Sequence, residues 1–521
     1  MKTRLSFIVY RLSFAVLAAI LSVLAFPNFN INLLAWIGLV PLLFAIDAQK
    51  PLRSILLSYV AGVFFFFGAI YWLIHVTLPG TLVVVLYLAL YFGLFGFLAS
   101  FFLRKTINDK RTTDLILPLL LAAAWVLCEW LRSNLFTGFG WALLGHSQAG
   151  NTVIIQIADI TGAYGVSFLI VFVNTSIFLT IKGMRENDHK VHYLVAALTL
   201  VFLADVYGIV KTKTACAGGR LRVAVVQGNI PQSEKWDSRF RRGILDKYER
   251  LTDLAAKARP ELVIWPETSV PAFIEFDKGV AGRLGAIAGR IGAPLLVGAP
   301  SEDAGGAIYN SAVLFGKDGK VTGRYDKLHL VPFGEYVPFK RALSFVERFA
   351  PSPIGDFSPG RDLRVFSFFI DRRSDSADAR VRLVRKVRFS CIICFEDIFP
   401  DIARAFVKHG ADFLVNITND AWFRQTSAPY QHAQSSVFRA VENRVNVIRA
   451  ANTGFSCFIN PSGEVTAAVE SHGRRLFVDG VASADIVLSR TPTAYTLYGD
   501  VFAYACMAFL ASCALVRPGK V

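Results

Sequence analysis

The sequence predicts a membrane-embedded helical bundle joined to an α/β domain. Hydrophobic residues make up 54% of the 521 residues, and charged residues make up only 18%. The ends of the chain hold apolar runs close to the ~20 residues that cross a bilayer, whereas the middle alternates short apolar strands with amphipathic helices. We therefore expect spans one to seven within 1–210, a soluble domain at 211–492, and an eighth helix with a tail at 493–521.

Eight apolar runs are predicted to form transmembrane helices. They lie at roughly 8–26, 31–46, 54–76, 81–103, 114–131, 162–181, 192–210 and 493–516. The first run follows Lys2 and Arg4, as the apolar part of a signal peptide would. No small-x-small cleavage pattern precedes Pro27 and further spans follow, so we interpret this run as an uncleaved anchor.

The net charge of +16 indicates membrane topology in this chain. In a soluble protein such an excess would suggest a nucleic-acid partner. Much of it lies in alternate short loops between the apolar runs, and Arg132 is the only Lys or Arg of the other loops. The positive-inside rule then predicts both termini in the cytoplasm and 211–492 on the periplasmic face of a bacterial inner membrane. We expect no nucleic-acid partner.

The seven cysteines do not indicate a disulfide framework, since three of them, Cys128, Cys506 and Cys513, lie in apolar runs. Cys391 and Cys394 have the spacing of a redox motif. Both lie in one apolar strand, with no Gly-Pro turn between them and no second pair to complete a zinc site. We expect no metal site, and we expect Cys391 to be a buried structural thiol.

The soluble domain alternates strands and helices. Strands are predicted at 221–227, 262–267, 294–299, 309–315, 320–325, 413–417, 446–451, 455–460 and 482–487, with one more ending at Cys394, and helices at 238–258, 278–291, 398–409 and 428–444. Residues 371–386 are charged and are predicted to be a solvated loop or a hairpin tip.

Three stretches carry the residues of a candidate active site. Glu267 follows a buried strand in Trp-Pro-Glu, Lys327 precedes a loop rich in Pro and Gly, and Cys394 ends an apolar strand. Taken singly, these residues are more often a surface cap, a solvated charge and a core thiol. Together they supply a base, a cation for a developing oxyanion and a nucleophile, as acyl transfer through a thioester requires. The base or a cation is needed because a free thiol is mostly protonated at neutral pH.

These motifs resemble those of the carbon–nitrogen hydrolase (nitrilase) superfamily. The resemblance implies an α-β-β-α sandwich with Glu267 as general base, Lys327 as the oxyanion-stabilising lysine and Cys394 as nucleophile. That superfamily commonly has Tyr after the cysteine, where this chain has Phe395. Its backbone N–H can still face the oxyanion, but the hydroxyl is lost. The resemblance also implies four supporting or substrate-binding residues. They are a second glutamate, Glu335, and the residue after it, Tyr336; the acid shortly after the nucleophile, Glu396; and a tryptophan of a mobile loop, Trp236.

A nitrilase-like domain between spans seven and eight resembles the membrane-bound, lipoprotein-acylating branch of this superfamily. The implied reaction is ping-pong. Cys394 accepts an acyl group from a membrane glycerophospholipid, and the resulting thioester is attacked by the α-amine of the S-diacylglyceryl cysteine of a diacylated apolipoprotein. This is the last step of bacterial lipoprotein maturation. It needs no metal or organic cofactor, and we expect a monomer.

Three other functions compete with this interpretation. A membrane-anchored amidase or nitrilase-type hydrolase would use the same triad with water as acceptor, but it has no need of eight spans. A transporter with a soluble appendage would place paired ionisable residues in the membrane, and Asp205 is the best candidate for one. A catalytically inactive binding module is disfavoured because all three residue types of the triad are present.

Overall fold

The computed structural model describes residues 2–108, 113–186, 188, 190–213, 218–332, 334–336, 357–373, 382–488 and 491–515. The chain divides into two compact units. One consists of Met1–Thr214 and Tyr498–Val521, and the other is Ala215–Leu497.

The first unit is helical. Its α-helices are Lys2–Leu24, Ala35–Gly38, Val40–Ile46, Pro51–Ala69, Leu78–Asn108, Thr113–Asn134, Ala158–Thr161, Ala163–Arg185, Val191–Lys213 and Val501–Leu515, and its 3-10 helices are Asn32–Leu34, Tyr71–His75, Leu144–Gln148 and Ile154–Ile157. Within the described ranges, five helical stretches are long and apolar enough to cross a membrane: Pro51–Ala69, Leu78–Arg104, Ile116–Asn134, Ala163–Arg185 and Val191–Lys213. Shorter apolar helices, Val9–Leu24, Asn32–Ile46 and Val501–Leu515, lie at the first, second and eighth predicted spans. Five long apolar helices are confirmed, and the count of eight spans stays a prediction.

The second predicted span, 31–46, is broken in the structure. Its helical turns are interrupted between Gly38 and Val40, next to Pro41, which has no N–H to donate. The buried amide of Asn174 satisfies the backbone there, since its Oδ1 accepts from the Leu39 N–H at 2.8 Å and its Nδ2 donates to the Ala35 carbonyl at 2.9 Å. Irregular backbone in a membrane protein requires such internal partners.

Two charged residues fix the irregular segment that follows the helix Thr113–Asn134. Arg132 is 3% exposed and donates to the carbonyl oxygens of Phe139 at 3.0 Å and Trp141 at 2.5 Å. Glu129 accepts from the Leu144 N–H at 2.7 Å. Arg132, the one basic residue in the set of loops that otherwise lacks Lys and Arg, is therefore a buried partner of loop carbonyls.

The second unit is built on two six-stranded sheets. The strands are β1 (Arg220–Gln227), β2 (Leu262–Ile264), β3 (Leu295–Glu302), β4 (Ile308–Phe315), β5 (Val321–Asp326), β6 (Phe366–Arg373), β7 (Arg382–Ile393), β8 (Phe413–Thr418), β9 (Asn446–Ala451), β10 (Cys457–Ile459), β11 (Val465–Ala468) and β12 (Gly480–Val487). Their orders are β12-β1-β2-β3-β4-β5 and β11-β10-β9-β8-β7-β6. The centre of each sheet is parallel: β1, β2 and β3 in the first, and β7, β8 and β9 in the second.

The two sheets lie face to face, with β1 against β9 and β4 against β7. The α-helices of this unit are Gln232–Lys235, Arg241–Ala256, Lys278–Ile291, Pro400–Lys408, Ala428–Asn443 and Ala494–Tyr498, and its 3-10 helices are Cys394–Ile398 and Asp420–Phe423. The helices Arg241–Ala256 and Lys278–Ile291 share one core with the outer face of the first sheet, so the central strands are buried on both faces. This is the predicted nitrilase-like sandwich.

Two strands, β6 and β11, are absent from the sequence prediction. β6 pairs with β7, so the charged stretch 371–386 begins and ends in a hairpin. Of the predicted loop or hairpin tip, 371–386, both ends are strand, and the central residues 374–381 lie outside the described residues.

Candidate active site

The three predicted triad residues each follow the end of a strand. Glu267 comes shortly after β2, Lys327 directly after β5 and Cys394 directly after β7. Glu267 is 6% exposed, Lys327 is 1% exposed, and Cys394 is half-buried. In an α/β fold, the carboxyl ends of strands are where binding and catalytic groups collect.

The backbone around Glu267 is positioned by β3 and by the preceding tryptophan. Trp265 is fully buried, stacks on Tyr248 with ring centroids 4.8 Å apart and donates its indole N–H to Thr252 at 2.8 Å. A Cβ on Gly298 would lie 2.7 Å from the Glu267 Cα, so only glycine lets β3 approach this closely. The carboxylate therefore starts from a fixed backbone position.

The Lys327 ammonium forms a cluster with three polar side chains, those of Glu335, Glu267 and Asn310. Its Nζ lies 2.9 Å from the Glu335 carboxylate and 3.8 Å from Oε1 of Glu267. The amide of Asn310 bridges the two acids, donating to Glu267 at 2.7 Å and to Glu335 at 2.9 Å. Burial lowers the pKa of Lys327, but the Glu335 carboxylate, Cys394 and Glu267 outweigh it and raise that pKa overall. Lys327 is therefore a fixed cation.

The backbone at Cys394 has a left-handed conformation. Its φ is +53°, which side chains other than glycine rarely adopt. The Cys394 carbonyl accepts from the Asn416 amide at 3.1 Å and from Nε2 of His432 at 3.1 Å. Burial and the Glu267 carboxylate raise the pKa of the Cys394 thiol well above its usual 9.0, while Lys327 opposes the rise. The resting thiol is protonated, so it needs a base to become a nucleophile.

Glu396 connects the lysine and cysteine segments. It is fully buried and accepts from the Leu328 N–H at 2.6 Å and from the Ile393 N–H at 2.6 Å. The hydroxyl of Tyr325 donates to it at 2.8 Å. Burial raises the pKa of Glu396 to about 7, against the lowering effect of these hydrogen bonds and of Lys327. One carboxyl group thus fixes the residues that follow Lys327 and precede Cys394.

A fully buried ionic network lies behind the cysteine. It consists of His432, Arg449, Asp397 and Asp420. Nδ1 of His432 lies 2.9 Å from Asp420, and its Nε2, which donates to the Cys394 carbonyl, lies 2.8 Å from Asp397. Arg449 donates to Asp397 at 2.7 Å. Two cations and two carboxylates therefore balance, and the histidine links the network to the Cys394 backbone.

The network predicts a pH dependence of stability. Burial lowers the pKa of His432, but Asp397 and Asp420 outweigh burial and Arg449, and the pKa rises from its usual 6.5 to about 9. The folded state then binds a proton that the unfolded chain releases. This contribution is full below pH 6.5 and is lost as the pH rises through about 9. We expect the melting temperature to fall across this window, and His432→Gln to reduce that dependence.

The measurement is thermal unfolding in detergent from pH 6 to pH 9.5. The matched control is His409→Gln, because His409 is exposed on the domain surface. The control should follow the wild-type curve. A wild-type slope that persists unchanged in His432→Gln would contradict the assignment.

The remaining predicted site residues are aromatic and only partly buried. Phe395, Trp236 and Tyr336 are half-buried. The ring of Phe395 lies 5.1 Å from that of Phe399, and Trp236 directly follows the short helix Gln232–Lys235. In the described parts of the chain, no hydrogen bond joins these three side chains to the triad. The structure therefore brings Glu335 and Glu396 into the site and leaves the roles of the three aromatic residues as predictions.

Sequence reasoning missed Asn310, Lys235 and the ionic network. Asn310 is a polar residue within the apolar strand β4, which is a readable signal. Lys235 is 2% exposed and donates to the main-chain oxygen of Glu267 at 2.9 Å. Polar residues lie on both sides of it, at Ser233, Glu234 and Asp237, so nothing local indicates burial. Within the described ranges, no group of three or more His, Cys, Asp or Glu side chains is arranged to hold a metal ion.

Comparisons with known proteins agree with both parts of the chain. Residues 18–176 match the family described as apolipoprotein N-acyltransferase N-terminal domain, and residues 222–494 match the carbon-nitrogen hydrolase family. An apolipoprotein N-acyltransferase from Geobacter metallireducens is 38% identical over 510 residues, covering 95% of this chain and 92% of that protein. The chain belongs to the apolipoprotein N-acyltransferase family.

Other apolipoprotein N-acyltransferases are similarly close. The one from Chlorobaculum tepidum is 30% identical over 515 residues, covering 94% of this chain and 92% of that protein. The one from Methylococcus capsulatus is 34% identical over 424 residues, covering 81% and 77%. Membership of the apolipoprotein N-acyltransferase family confirms the predicted superfamily, fold class and acyltransferase class.

Proposed function

We propose that this chain transfers a fatty acyl group from a membrane glycerophospholipid to the α-amine of the S-diacylglyceryl cysteine of a diacylated apolipoprotein. The observation that carries the proposal is a protonated cysteine at a left-handed strand end, within electrostatic reach of buried Glu267 and Lys327. Family membership supports the acceptor. We infer the phospholipid donor because its acyl esters lie in the same membrane as the enzyme.

In the first half-reaction, Glu267 accepts the proton from Sγ of Cys394. The thiolate forms a bond to the ester carbonyl carbon, and the carbonyl electron pair moves onto oxygen. The Lys327 ammonium and the Phe395 backbone N–H stabilise that oxyanion. When the intermediate collapses, the ester C–O bond breaks, and Glu267 returns its proton to the lysophospholipid oxygen. The acyl group is left as a thioester on Cys394.

In the second half-reaction, the lipoprotein α-amine attacks the thioester carbon. Glu267 accepts the proton that the amine loses, and the same groups stabilise the second oxyanion. The C–S bond then breaks, and Glu267 protonates the leaving thiolate. The products are an amide on the lipoprotein and the starting enzyme. Exclusion of water from the site would protect the thioester between the two steps.

Two glutamates support the triad in this scheme. Glu335 lies 2.9 Å from Lys327 and, through Asn310, shares a hydrogen-bond donor with Glu267. Glu335 keeps the Lys327 ammonium protonated and fixes its position in the site. Glu396 fixes the two backbone segments that carry Lys327 and Cys394. We assign Phe395, Trp236 and Tyr336 to substrate binding, as half-buried aromatic groups suited to lipid chains.

The charge pattern supports a membrane topology for the same function. Under the positive-inside rule, basic residues in alternate loops favour both termini in the cytoplasm and residues 211–492 in the periplasm. Residues 1–210 and 493–521 would then hold eight spans in the inner membrane. Both substrates are held in that membrane by their lipid chains, so an enzyme anchored there meets them by lateral diffusion. We propose that it acts as a monomer.

The test is intact-protein mass spectrometry of purified enzyme incubated with phospholipid and no acceptor. We expect a fatty-acyl adduct on the wild type that a diacylglyceryl-cysteine peptide discharges. Cys394→Ala should give no adduct. Cys391→Ala, which removes a fully buried thiol three positions earlier, is the matched control and should still be acylated.

Two results would contradict the proposal. The first is the absence of an adduct on the wild type. The second is discharge by water as fast as by the peptide, which would favour the membrane-anchored hydrolase.

A further inference from the structure

A second lysine lies beside the candidate triad. Lys235 ends the short helix after β1 and is 2% exposed. Its ammonium carries three N–H donors, and the described residues supply one hydrogen-bond acceptor, the main-chain oxygen of Glu267 at 2.9 Å. A buried ammonium with one acceptor is costly to keep. An uncharged side chain would hold this segment against the domain at lower cost.

Two titratable groups, Glu267 and Cys394, interact electrostatically with Lys235, and a proton moves between these two groups in the proposed reaction. Burial lowers the pKa of Lys235 to about 8, and the groups that oppose the lowering are Glu267 and Cys394. The positive charge of Lys235 therefore acts on both the base, Glu267, and the nucleophile, Cys394.

The balance of charge shows what a second cation would do. Lys327 lies closer to Glu335, at 2.9 Å, than to Glu267, at 3.8 Å. Lys327 and Glu335 therefore form a compensated pair. Lys327 is shared with Glu335, so the negative charge that starts on Glu267 and moves to Cys394 is balanced in full only when Lys235 is present. Without Lys235 the buried site would hold one uncompensated negative charge both before and after the proton transfer.

We propose that Lys235 is a positioning residue that compensates the negative charge shared by Glu267 and Cys394, while its hydrogen bond fixes the Glu267 backbone. This inference rests on the proposed roles of those two residues. The short helix before Trp236 then has an electrostatic role in forming the Cys394 thiolate. A purely structural Lys235 would need the hydrogen bond alone.

Substitution separates the hydrogen bond from the charge. Lys235→Gln keeps a donor for the Glu267 carbonyl and removes the charge, whereas Lys235→Arg keeps both. Lys257→Gln makes the same change at an exposed position of the domain. Gln lowers the cost of burial, so we expect all three variants to fold, and their melting temperatures provide the check.

The readout is the rate at which iodoacetamide labels Cys394 in the full-length enzyme in detergent, from pH 6 to pH 10. Fragment-ion mass spectrometry separates Cys394 from Cys391. Besides Lys235, the groups that act on the Cys394 thiol are Glu267, Lys327, Asp420 and the hydroxyl of Thr418. None of these changes in the variants. Below the thiol pKa the labelling rate follows the thiolate fraction.

We expect Lys235→Gln to raise the apparent pKa of Cys394 by about one unit, which slows labelling at pH 7.5 by about tenfold. Lys235→Arg and Lys257→Gln should label at nearly the wild-type rate. Coincident profiles for Lys235→Gln and wild type would overturn the proposal, as would equal shifts in the Gln and Arg variants. Labelling needs no phospholipid, so it is independent of the acyl-adduct experiment, whose failure would reject the proposed function instead.

Discussion

Glu267→Gln should lower the rate of acyl-adduct formation by about 10²–10⁴-fold, the usual contribution of a general base. Glutamine has nearly the same shape and keeps an oxygen that can accept from Asn310, which lies 2.7 Å from Glu267. It cannot accept the proton of Cys394. That thiol is protonated at rest because burial and the Glu267 carboxylate raise its pKa. Adduct formation from phospholipid, followed by mass spectrometry, measures the first half-reaction alone.

Glu275→Gln is the matched control for this experiment. Glu275 is an exposed residue of the same domain, paired with Arg324 at 3.0 Å. Exposed ion pairs contribute little, so adduct formation should continue at close to the wild-type rate. If Glu267→Gln formed the adduct within tenfold of wild type, another group would have to be the base.

Arg449→Met should destabilise the catalytic unit by roughly 3–5 kcal/mol, because it leaves two buried carboxylates with His432 as their only full cation. Arg449 is fully buried and donates to Asp397 at 2.7 Å and to Asn416 at 2.9 Å. In a domain of this size the melting temperature should fall by on the order of 10 °C. Thermal unfolding of the purified protein in detergent checks this.

The same substitution at Arg222 provides the contrast. Arg222 makes a two-pronged pair with Asp485, with both contacts at 2.8 Å, on the exposed surface of the same unit. We expect Arg222→Met to shift the melting temperature only slightly, since solvent screens exposed pairs. Equal shifts in the two variants would show that the buried network does not hold the unit together.

The sequence predicted the triad because its residues follow patterns that local physics enforces. Apolar strands ending at Pro266 or at Cys394 can be read directly, and chemically active side chains collect where strands end. The helix 278–291 and the hairpin of β4 and β5 could also be predicted, because local sequence patterns specify them. Asn310 and Lys235 were missed because their partners depend on which strands become neighbours. Asn310 stands out as a polar residue within apolar β4, but its two partners have no local signature, and neither has the burial of Lys235.

The membrane unit shows the same limit. Composition identified the apolar runs, and five of them form long helices. Composition could not show that 31–46 is interrupted, because the break depends on Asn174, which lies in a distant helix. The strands β6 and β11 were missed for a related reason: each is an outermost strand whose formation is decided by its neighbour.

The left-handed backbone at Cys394 restricts which chemistry can evolve at this position. A β-branched residue is the least compatible with such a φ, so a threonine nucleophile would be more strained here than cysteine. Glycine, which tolerates that φ without strain, has no reactive group. The amino acid that the backbone favours most at position 394 is therefore one that would inactivate the enzyme, and selection for reactivity here works against selection for stability.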